Sequence, residues 1–117
     1  MRNQPYAHFG EWFTAIHYWK EGYRVLIEKY VFQNHPKACS IAKGVLGEPL
    51  FCFLREHAPW YCQPPDLLVY RPDLLSHFFV EVKLGRDRLR PNQEAHFKRL
   101  EEMFNQEIRT VKVKQST

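Results

Sequence analysis

The segment from Phe78 to Lys83 reads FFVEVK, an apolar run in which two opposite charges are embedded. Its aromatic and β-branched residues favour a strand, which we predict over residues 77–84. Because alternate residues of a strand share a face, Glu81 and Lys83 are expected side by side, about 7 Å apart. The segment therefore predicts a strand that presents a carboxylate and an ammonium group on one face.

A second strand is predicted immediately upstream, over residues 67–70, and Asp66 precedes it after two prolines. A turn around Pro72 joins the two strands. A hairpin through this turn would bring Asp66 close to Glu81. Two carboxylates and one ammonium group are thus expected at neighbouring strand ends.

This set of groups suits the cleavage of phosphodiesters. A hard divalent cation needs oxygen ligands, and carboxylates provide them. A bound cation polarises a phosphate and activates water, and a nearby lysine orients or deprotonates that water or stabilises developing negative charge. The alternative interpretation is structural: alternating charge is typical of a surface strand, and Pro-Asp before a strand is ordinary turn chemistry.

The first half of the chain mixes helical and strand-like patterns. Apolar residues at helical spacing predict an amphipathic helix over residues 6–21, with an apolar arc of Phe9, Trp12, Phe13, Ile16 and Trp19. Most of 23–33 is rich in β-branched and aromatic residues and predicts a strand. We expect a loop with a short helix over 34–49, a strand over 50–54, and a turn-rich connection over 58–65.

Downstream of the FFVEVK strand, residues 85–90 form a basic loop, and Pro91 suits the first turn of a helix. Phe97, Leu100 and Phe104 give that helix an apolar stripe, and a last strand is predicted over 109–114. The order of helix, strands, helix and strand predicts an α/β fold in which helices flank a mixed sheet. With 117 residues and no internal repeat, the chain is expected to form one domain.

Composition favours a globular protein with a polyanionic partner. The chain is 44% hydrophobic and 26% charged, and its formal net charge is +4. It contains no membrane-length apolar run and no apolar signal-peptide core, so we expect an intracellular protein that does not contact membranes. Structural zinc is a competing metal interpretation, but no paired ligands occur at tight spacing among the candidates His35, Cys39, Cys52, His57 and Cys62.

The strand continues into LGRDRLRPNQ, which ends at Gln93. The chain resembles the VRR-NUC family of the PD-(D/E)xK nuclease superfamily in four successive motifs, namely Pro65-Asp66, Glu-Val-Lys, Asp-Arg-Leu and this glutamine. The resemblance covers residues 64–104, and it implies a restriction-endonuclease-like core of αβββαβ type. It also implies a Mg²⁺- or Mn²⁺-dependent endonuclease that acts on DNA. Small members of the family resemble junction-cleaving enzymes, which implies a homodimer that acts on branched DNA or Holliday junctions.

The resemblance also assigns roles to individual residues. Asp66 and Glu81 would be metal ligands together with the backbone carbonyl of Val82, Lys83 would be the catalytic lysine, and Gln93 would lie at the edge of the site. Gln93 also falls on the apolar stripe of its predicted helix, where a structural hydrogen bond is the alternative role.

An acidic residue on the first helix is a further family feature, and Glu11 is the candidate for it. On a helical wheel Glu11 falls with Ala15 and Tyr18, away from the centre of the apolar arc. A solvated glutamate and a fourth carboxylate in the site therefore both remain open. Two departures from the family pattern are Pro64, where a glycine is usual, and a long 34–60 segment.

Basic residues flank the predicted site and are expected to bind phosphates, namely Arg86, Arg88, Arg90, Lys98 and Arg99. For Arg88 an ion pair with Asp87 is the structural alternative. Two other functions stay open for the whole chain. One is a catalytically inactive module that binds nucleic acid on the same fold, and the other is an accessory protein that contacts only proteins.

Overall fold

A computed structural model describes residues 9–27, 29–32, 34–58 and 61–113 of the chain. It shows an α/β fold in which a four-stranded mixed sheet is flanked by helices. In chain order the elements are α1 (Phe9–Lys20), β1 (Arg24–Ile27), α2 (Pro36–Leu46), α3 (Glu48–His57), β2 (Leu67–Tyr70), β3 (His77–Leu84), α4 (Pro91–Phe104) and β4 (Ile108–Val113). Among the described residues, no helix has the length and apolar character that crossing a membrane requires.

The strands lie in the order β1-β2-β3-β4. The pairs β1–β2 and β2–β3 are antiparallel, whereas β3 and β4 are parallel because the chain crosses over through α4 between them. Leu67 of β2 pairs with Val80 of β3. One further step of this register sets Asp66 opposite Glu81, as the predicted hairpin requires.

The sheet separates two apolar cores. On one face, α1 packs against β-strand residues such as Leu67, Val69, Val80 and Val82. On the other face, α2, α3 and α4 pack around Phe79 and the strand residues next to it. Side chains of a strand alternate between the two faces, so Glu81 points with Phe79 towards α4.

Several sequence predictions are confirmed near the middle of the chain. The strands predicted over 67–70 and 77–84 have those bounds in the structure, and α4 begins at Pro91. Phe97 and Leu100 are buried against the sheet, and the last strand begins one residue earlier than predicted, while residue 114 lies outside the described part of the chain. These elements have strong local signals, namely β-branched runs and a helix-starting proline.

The strand predicted over 50–54 is wrong, because these residues lie in α3. Leu50, Phe51 and Leu54 are all buried. Phe51 and Leu54 lie one and four positions after Leu50, a spacing that places all three on one side of a helix. Pro49 lies in the first turn of this helix, where a proline is favoured. The loop with a short helix that was expected over 34–49 is mostly helix, because α2 takes up 11 of its residues. The segment between β1 and β2 therefore contains two helices, α2 and α3.

The first strand is shorter than predicted. Among the described residues of the 23–33 segment, Arg24–Ile27 alone pair in the sheet. Downstream, Tyr30 and Val31 leave the sheet and become fully buried in the core beneath α2 and α3. Their aromatic and β-branched character reflects burial, which composition alone does not distinguish from strand pairing.

Helix α1 forms as predicted, but it faces the sheet with the side opposite to its large apolar residues. Thr14, Ala15 and Tyr18 are buried against the sheet. The residues that point outward are exposed, at 57% for Trp12, 58% for Phe13, 50% for Ile16 and 61% for Trp19. The described members of the predicted apolar arc thus lie on the exposed side of the helix and not on its packed side. The side chain of Phe9 lies outside the described part of the chain.

Candidate active site

Two carboxylates meet where the hairpin of β2 and β3 opens. The backbone N–H of Asp66 donates to Glu81 Oε1 over 3.1 Å. In return, the backbone N–H of Val82 donates to Asp66 Oδ2 over 2.9 Å. Each carboxylate thus accepts a hydrogen bond from the neighbouring strand's backbone, which fixes both side chains at one strand edge.

A closed network joins Glu81, Lys83 and Gln93. Gln93 Nε2 donates to Glu81 Oε2 over 3.2 Å, and Lys83 Nζ donates to Gln93 Oε1 over 3.2 Å. The third side is an ion pair of 3.3 Å between Lys83 Nζ and Glu81 Oε2. Because Glu81 is 4% exposed, these contacts are shielded from water, and each partner restricts the orientation of the other two.

The start of α4 determines where Gln93 lies. Gln93 is the third residue of the helix, and its Oε1 also accepts the backbone N–H of Arg90 over 3.0 Å. A helix leaves its first N–H groups without backbone partners, and a side chain in the first turn often satisfies one of them. The helix that begins at Pro91 therefore places an amide group over the carboxylate of Glu81.

The carboxylates lie in an environment that disfavours negative charge. Burial, and then the negative charge of Glu81, raise the pKa of Asp66 to about 7, while the hydrogen bond from Val82 opposes this rise. Burial also raises the pKa of Glu81, against the opposing effect of Lys83. Lys83 pairs with Glu81 alone, so an added cation would offset the remaining unfavourable interactions of the two carboxylates.

Helix α1 brings Glu11 towards the same site. The negative charge of Glu11 contributes to the raised pKa of Asp66, so the two carboxylates lie near each other. Glu11 is half-buried on the sheet-facing side of α1, as its position beside Ala15 and Tyr18 on the helical wheel allows. Glu11 is therefore not fully solvated, and its role as a further carboxylate of the site stays a prediction.

Gly10 allows α1 to approach β3 closely. A Cβ atom at this position would lie 2.9 Å from side-chain atoms of both Val82 and Leu84. A larger residue would therefore push the helix away from the strand. The glycine thus lies at the contact between α1 and β3, a role that its position inside the predicted helix did not indicate.

Two further residues of the site were not predicted. The hydroxyl of Tyr30, which is fully buried, donates to the backbone carbonyl of Pro65 over 2.7 Å and so holds the peptide that leads into Asp66. Cys62 lies close enough for burial and the charge of Glu81 to raise the pKa of its thiol to about 11. Both contacts depend on the tertiary fold, and the sequence around Tyr30 carries no signal for them.

The predicted phosphate-binding residues are exposed on the side of α4 and its preceding loop. Arg86, Arg88, Arg90, Lys98 and Arg99 all point to solvent. The backbone N–H of Arg90 donates to Gln93 Oε1, so Arg90 adjoins the network, and its positive charge opposes the rise in the pKa of Cys62. Arg99 lies over the ring of Tyr61 at 6.0 Å. In the described part of the chain, Asp87 and Arg88 form no ion pair.

The groups present fit a hard divalent cation. Within the described ranges, no three His, Cys, Asp or Glu side chains come together as a metal-binding cluster, and this includes the five residues considered for zinc. The site instead combines the carboxylates of Asp66 and Glu81 with backbone oxygen. Because the N–H and C=O of one strand residue point to the same side, the Val82 carbonyl lies on the edge that Asp66 occupies. Oxygen donors of this kind are those that Mg²⁺ and Mn²⁺ prefer.

Comparison of the chain with protein-family models, with curated proteins and with solved structures finds no match. The functional interpretation therefore depends on the site's own geometry and on the sequence motif.

Proposed function

We propose that the protein is a Mg²⁺- or Mn²⁺-dependent endonuclease that hydrolyses phosphodiester bonds in DNA. The observation that carries the proposal is the buried network of Asp66, Glu81, Lys83 and Gln93 at one strand edge. The network holds two carboxylates side by side in a largely buried position, which is unfavourable for their charged forms. Such an arrangement destabilises a fold and is typical of a catalytic site.

Asp66, Glu81 and the Val82 carbonyl would hold the cation, with Glu11 as a further carboxylate nearby. When bound, the cation supplies polarisation of the scissile phosphate and lowers the pKa of water. The raised pKa values of the two carboxylates in the free protein fit this role, because a cation at the site would offset their burial and mutual repulsion.

Lys83 is proposed to act directly on the reacting phosphate. Its Nζ is held by Glu81 and Gln93, yet an ammonium group has three donor hydrogens, so one remains for a phosphate oxygen or the attacking water. In hydrolysis, the water oxygen forms a bond to phosphorus, and the bond from phosphorus to one bridging oxygen breaks. A fixed positive charge beside the phosphate stabilises the negative charge that develops in this step.

The substrate is proposed to be branched DNA, such as a four-way junction. The exposed basic residues lie on the 85–90 loop and on α4, whose first turn carries Gln93, and they would supply phosphate contacts. The αβββαβ order of a restriction-endonuclease-like core also describes this chain once α2 and α3 are set aside as an insertion. That agreement and the motif from Asp66 to Gln93 support the resemblance, which in turn implies branched substrates.

The test is a cleavage assay with purified protein. Four-way junction, flap and linear duplex DNA are incubated with Mg²⁺, Mn²⁺ or EDTA, and products are resolved on denaturing gels. Lys83→Ala is the variant that removes the proposed catalytic group. Lys43→Ala, an exposed lysine on α2, is the matched control.

We expect metal-dependent cleavage, strongest on the junction, that Lys83→Ala abolishes and Lys43→Ala leaves unchanged. Absence of cleavage above the Lys83→Ala level on every substrate would refute the enzyme proposal. Salt-dependent binding without cleavage would instead identify a nucleic-acid-binding module. Absence of both at low salt would indicate a protein that contacts only other proteins.

A further inference from the structure

A cavity of about 450 Å³ opens between the start of β1, one side of α2 and the turn that joins β2 to β3, and we call it the distal cavity. It lies away from the candidate active site, because β2 starts beside Asp66 and ends at Tyr70, which lines the cavity. Four steps along a strand separate these two residues by roughly 13 Å. Cavities of this volume are typical of sites that bind small molecules.

Three polar side chains of the distal cavity have unused hydrogen-bonding capacity. Arg24 and Tyr70 are partners across β1 and β2, so their side chains lie next to each other on one face of the sheet. Ser40 lines the cavity from α2. In the part of the chain that the structure describes, none of these three side chains forms a hydrogen bond or an ion pair. A guanidinium group and two hydroxyls are therefore available to a ligand.

Gly44 leaves open space on the side of α2 that lines the cavity. Ser40, Ile41 and Gly44 lie on one side of the helix, since their spacing is one and four residues. A glycine inside a helix is destabilising relative to alanine, and close packing of another element is a common reason for one. No such packing occurs here, because a Cβ atom on Gly44 would meet no atom within 4 Å. The glycine thus widens the cavity instead of serving a contact.

The turn between β2 and β3 contributes an apolar wall in a strained conformation. Leu74 has a φ of 62°, which is rare for a bulky residue. Backbone strain of this kind is found where a ligand is clamped, provided that the surrounding structure holds the residue. The backbone N–H of Leu74 donates to the carbonyl of Arg71 over 2.8 Å and so holds the turn. Leu74 and Ile41 are 45% and 40% exposed, and both offer contact to an apolar group.

The charge around the distal cavity is positive. None of its described lining residues is acidic, and Arg24 is basic. Lys37 lies one helical turn before Ile41 on the same side of α2. The acidic residue of the turn, Asp73, accepts the backbone N–H of Leu75 over 2.9 Å. Since a guanidinium group binds carboxylates and phosphates through two parallel hydrogen bonds, the cavity suits an anion.

We propose that the distal cavity binds a small organic anion. Its carboxylate or phosphate group contacts Arg24 and accepts hydrogen bonds from the hydroxyls of Ser40 and Tyr70, while its apolar body lies against Ile41 and Leu74. The proposal goes beyond the nuclease function, because the cavity shares no residue with the network at the other end of β2. Its test accordingly needs neither DNA nor a metal ion.

The test is a titration of the ¹⁵N-labelled protein in EDTA, followed by amide chemical shifts. The probes are 3-phenylpropanoate, phenyl phosphate and, as the neutral match, 3-phenylpropan-1-ol. Arg24→Gln removes the charge of the cavity, and Gly44→Leu fills its open space from a helix that tolerates leucine. Lys43→Gln and Lys43→Leu are the matched controls, because Lys43 is an exposed residue of α2 that does not line the cavity.

We expect shifts at the lining residues, and at least one anion that binds about 10-fold more tightly than the alcohol. The anion that does so identifies the acidic group that the site prefers. Arg24→Gln should remove this preference, Gly44→Leu should weaken binding of every probe about 10-fold, and both Lys43 variants should bind like the wild type.

Three results would overturn the proposal. The first is that neither anion binds more tightly than the alcohol, or that neither gives saturable shifts at the lining residues. The second is that Arg24→Gln keeps the preference for an anion. The third is that Gly44→Leu binds the probes like the wild type, or that it loses the dispersed amide spectrum of a folded protein while Lys43→Leu keeps it, because the open space beside Gly44 would then not exist.

Discussion

Two polar side chains of α4, the partly buried Gln93 and the buried His96, lie one helical turn apart in contrasting environments. Gln93 exchanges hydrogen bonds with Glu81, Lys83 and the backbone of Arg90. His96 has no accessible surface, and neither of its ring nitrogens has a hydrogen-bond partner among the described residues.

The surroundings explain the contrast. His96 packs among aromatic rings, with Phe53 stacked at 5.7 Å and Tyr61 edge-on at 5.8 Å. It therefore behaves as an uncharged aromatic member of the core. Gln93 instead connects charges that are costly to bury. The difference teaches that burial of a polar group does not indicate function by itself, whereas a connected network of charged partners does.

Glu81→Gln tests the charged side of this comparison, and we expect the largest effect from it. Cleavage should fall at least about 1,000-fold, because a proposed metal ligand loses its charge. The free energy of unfolding in EDTA should stay unchanged or rise by up to about 1 kcal/mol, because the substitution removes the repulsion with Asp66. Urea denaturation and the junction assay measure the two quantities. A variant that keeps its activity, or that loses stability in EDTA, would contradict the functional reading of the network.

His96→Phe tests the aromatic side. Burial, followed by the charges of His57 and Arg99, lowers the pKa of His96 to about 4 from its ordinary 6.5. As the pH falls through that window, the unfolded wild type gains a proton that the folded wild type does not bind, so the folded state loses stability. The phenylalanine variant lacks this loss.

We therefore expect the stability of His96→Phe relative to the wild type to increase by about 2 kcal/mol between about pH 7.5 and about pH 4.5. Urea denaturation at the two pH values provides the measurement, and cleavage at neutral pH should stay within about twofold of the wild type. If the difference in stability between variant and wild type does not change with pH, His96 binds a proton as readily in the folded state as in the unfolded state, which would contradict its lowered pKa. A large loss of activity would place His96 in the site.

Gln93→Ala should have a smaller effect on cleavage than Glu81→Gln, about 10- to 30-fold, because the amide positions Glu81 and Lys83 without supplying charge. The divalent-cation concentration for half-maximal activity should rise as Glu81 becomes less restrained. Asn92→Ala is the matched control, since its amide donates to the backbone of Tyr61 and not to the network. Equal effects of the two substitutions would argue against a specific role for Gln93.

Tyr30→Phe is expected to have the smallest effect. It removes the donor to the Pro65 carbonyl, which should cost about 1–2 kcal/mol of stability and reduce cleavage about threefold through the position of Asp66. Tyr70→Phe, a buried tyrosine at the other end of β2, is the control. If Tyr70→Phe reduces cleavage by as much as Tyr30→Phe does, the contact with Pro65 has no special role in the site.

The sequence predicted the hairpin of the site because its signals are local. A β-branched run, a prolyl turn and a proline predict the bounds of β2, β3 and α4. Asp66, Glu81 and Gln93 lie in or next to these elements. The register that sets Asp66 opposite Glu81 then follows from a short hairpin. Motif and secondary structure thus reinforced each other in this region.

Other features depend on tertiary structure that no local pattern specifies. The orientation of α1 was not predictable, because an apolar arc usually marks the packed side of a helix, whereas here Gly10 lies against β3 and the apolar arc is exposed. The apolar run at 50–54 fits a strand and a buried helix equally well. The hydrogen bond from Tyr30 to Pro65 spans 35 residues and depends on how the chain folds back.

The most direct test of the central claim is a crystal of the protein soaked in Mn²⁺, with anomalous difference density measured near the manganese absorption edge. We predict one strong peak within about 2.0–2.5 Å of carboxylate oxygens from both Asp66 and Glu81. A crystal without a peak between these side chains, or with manganese bound only elsewhere, would contradict the account.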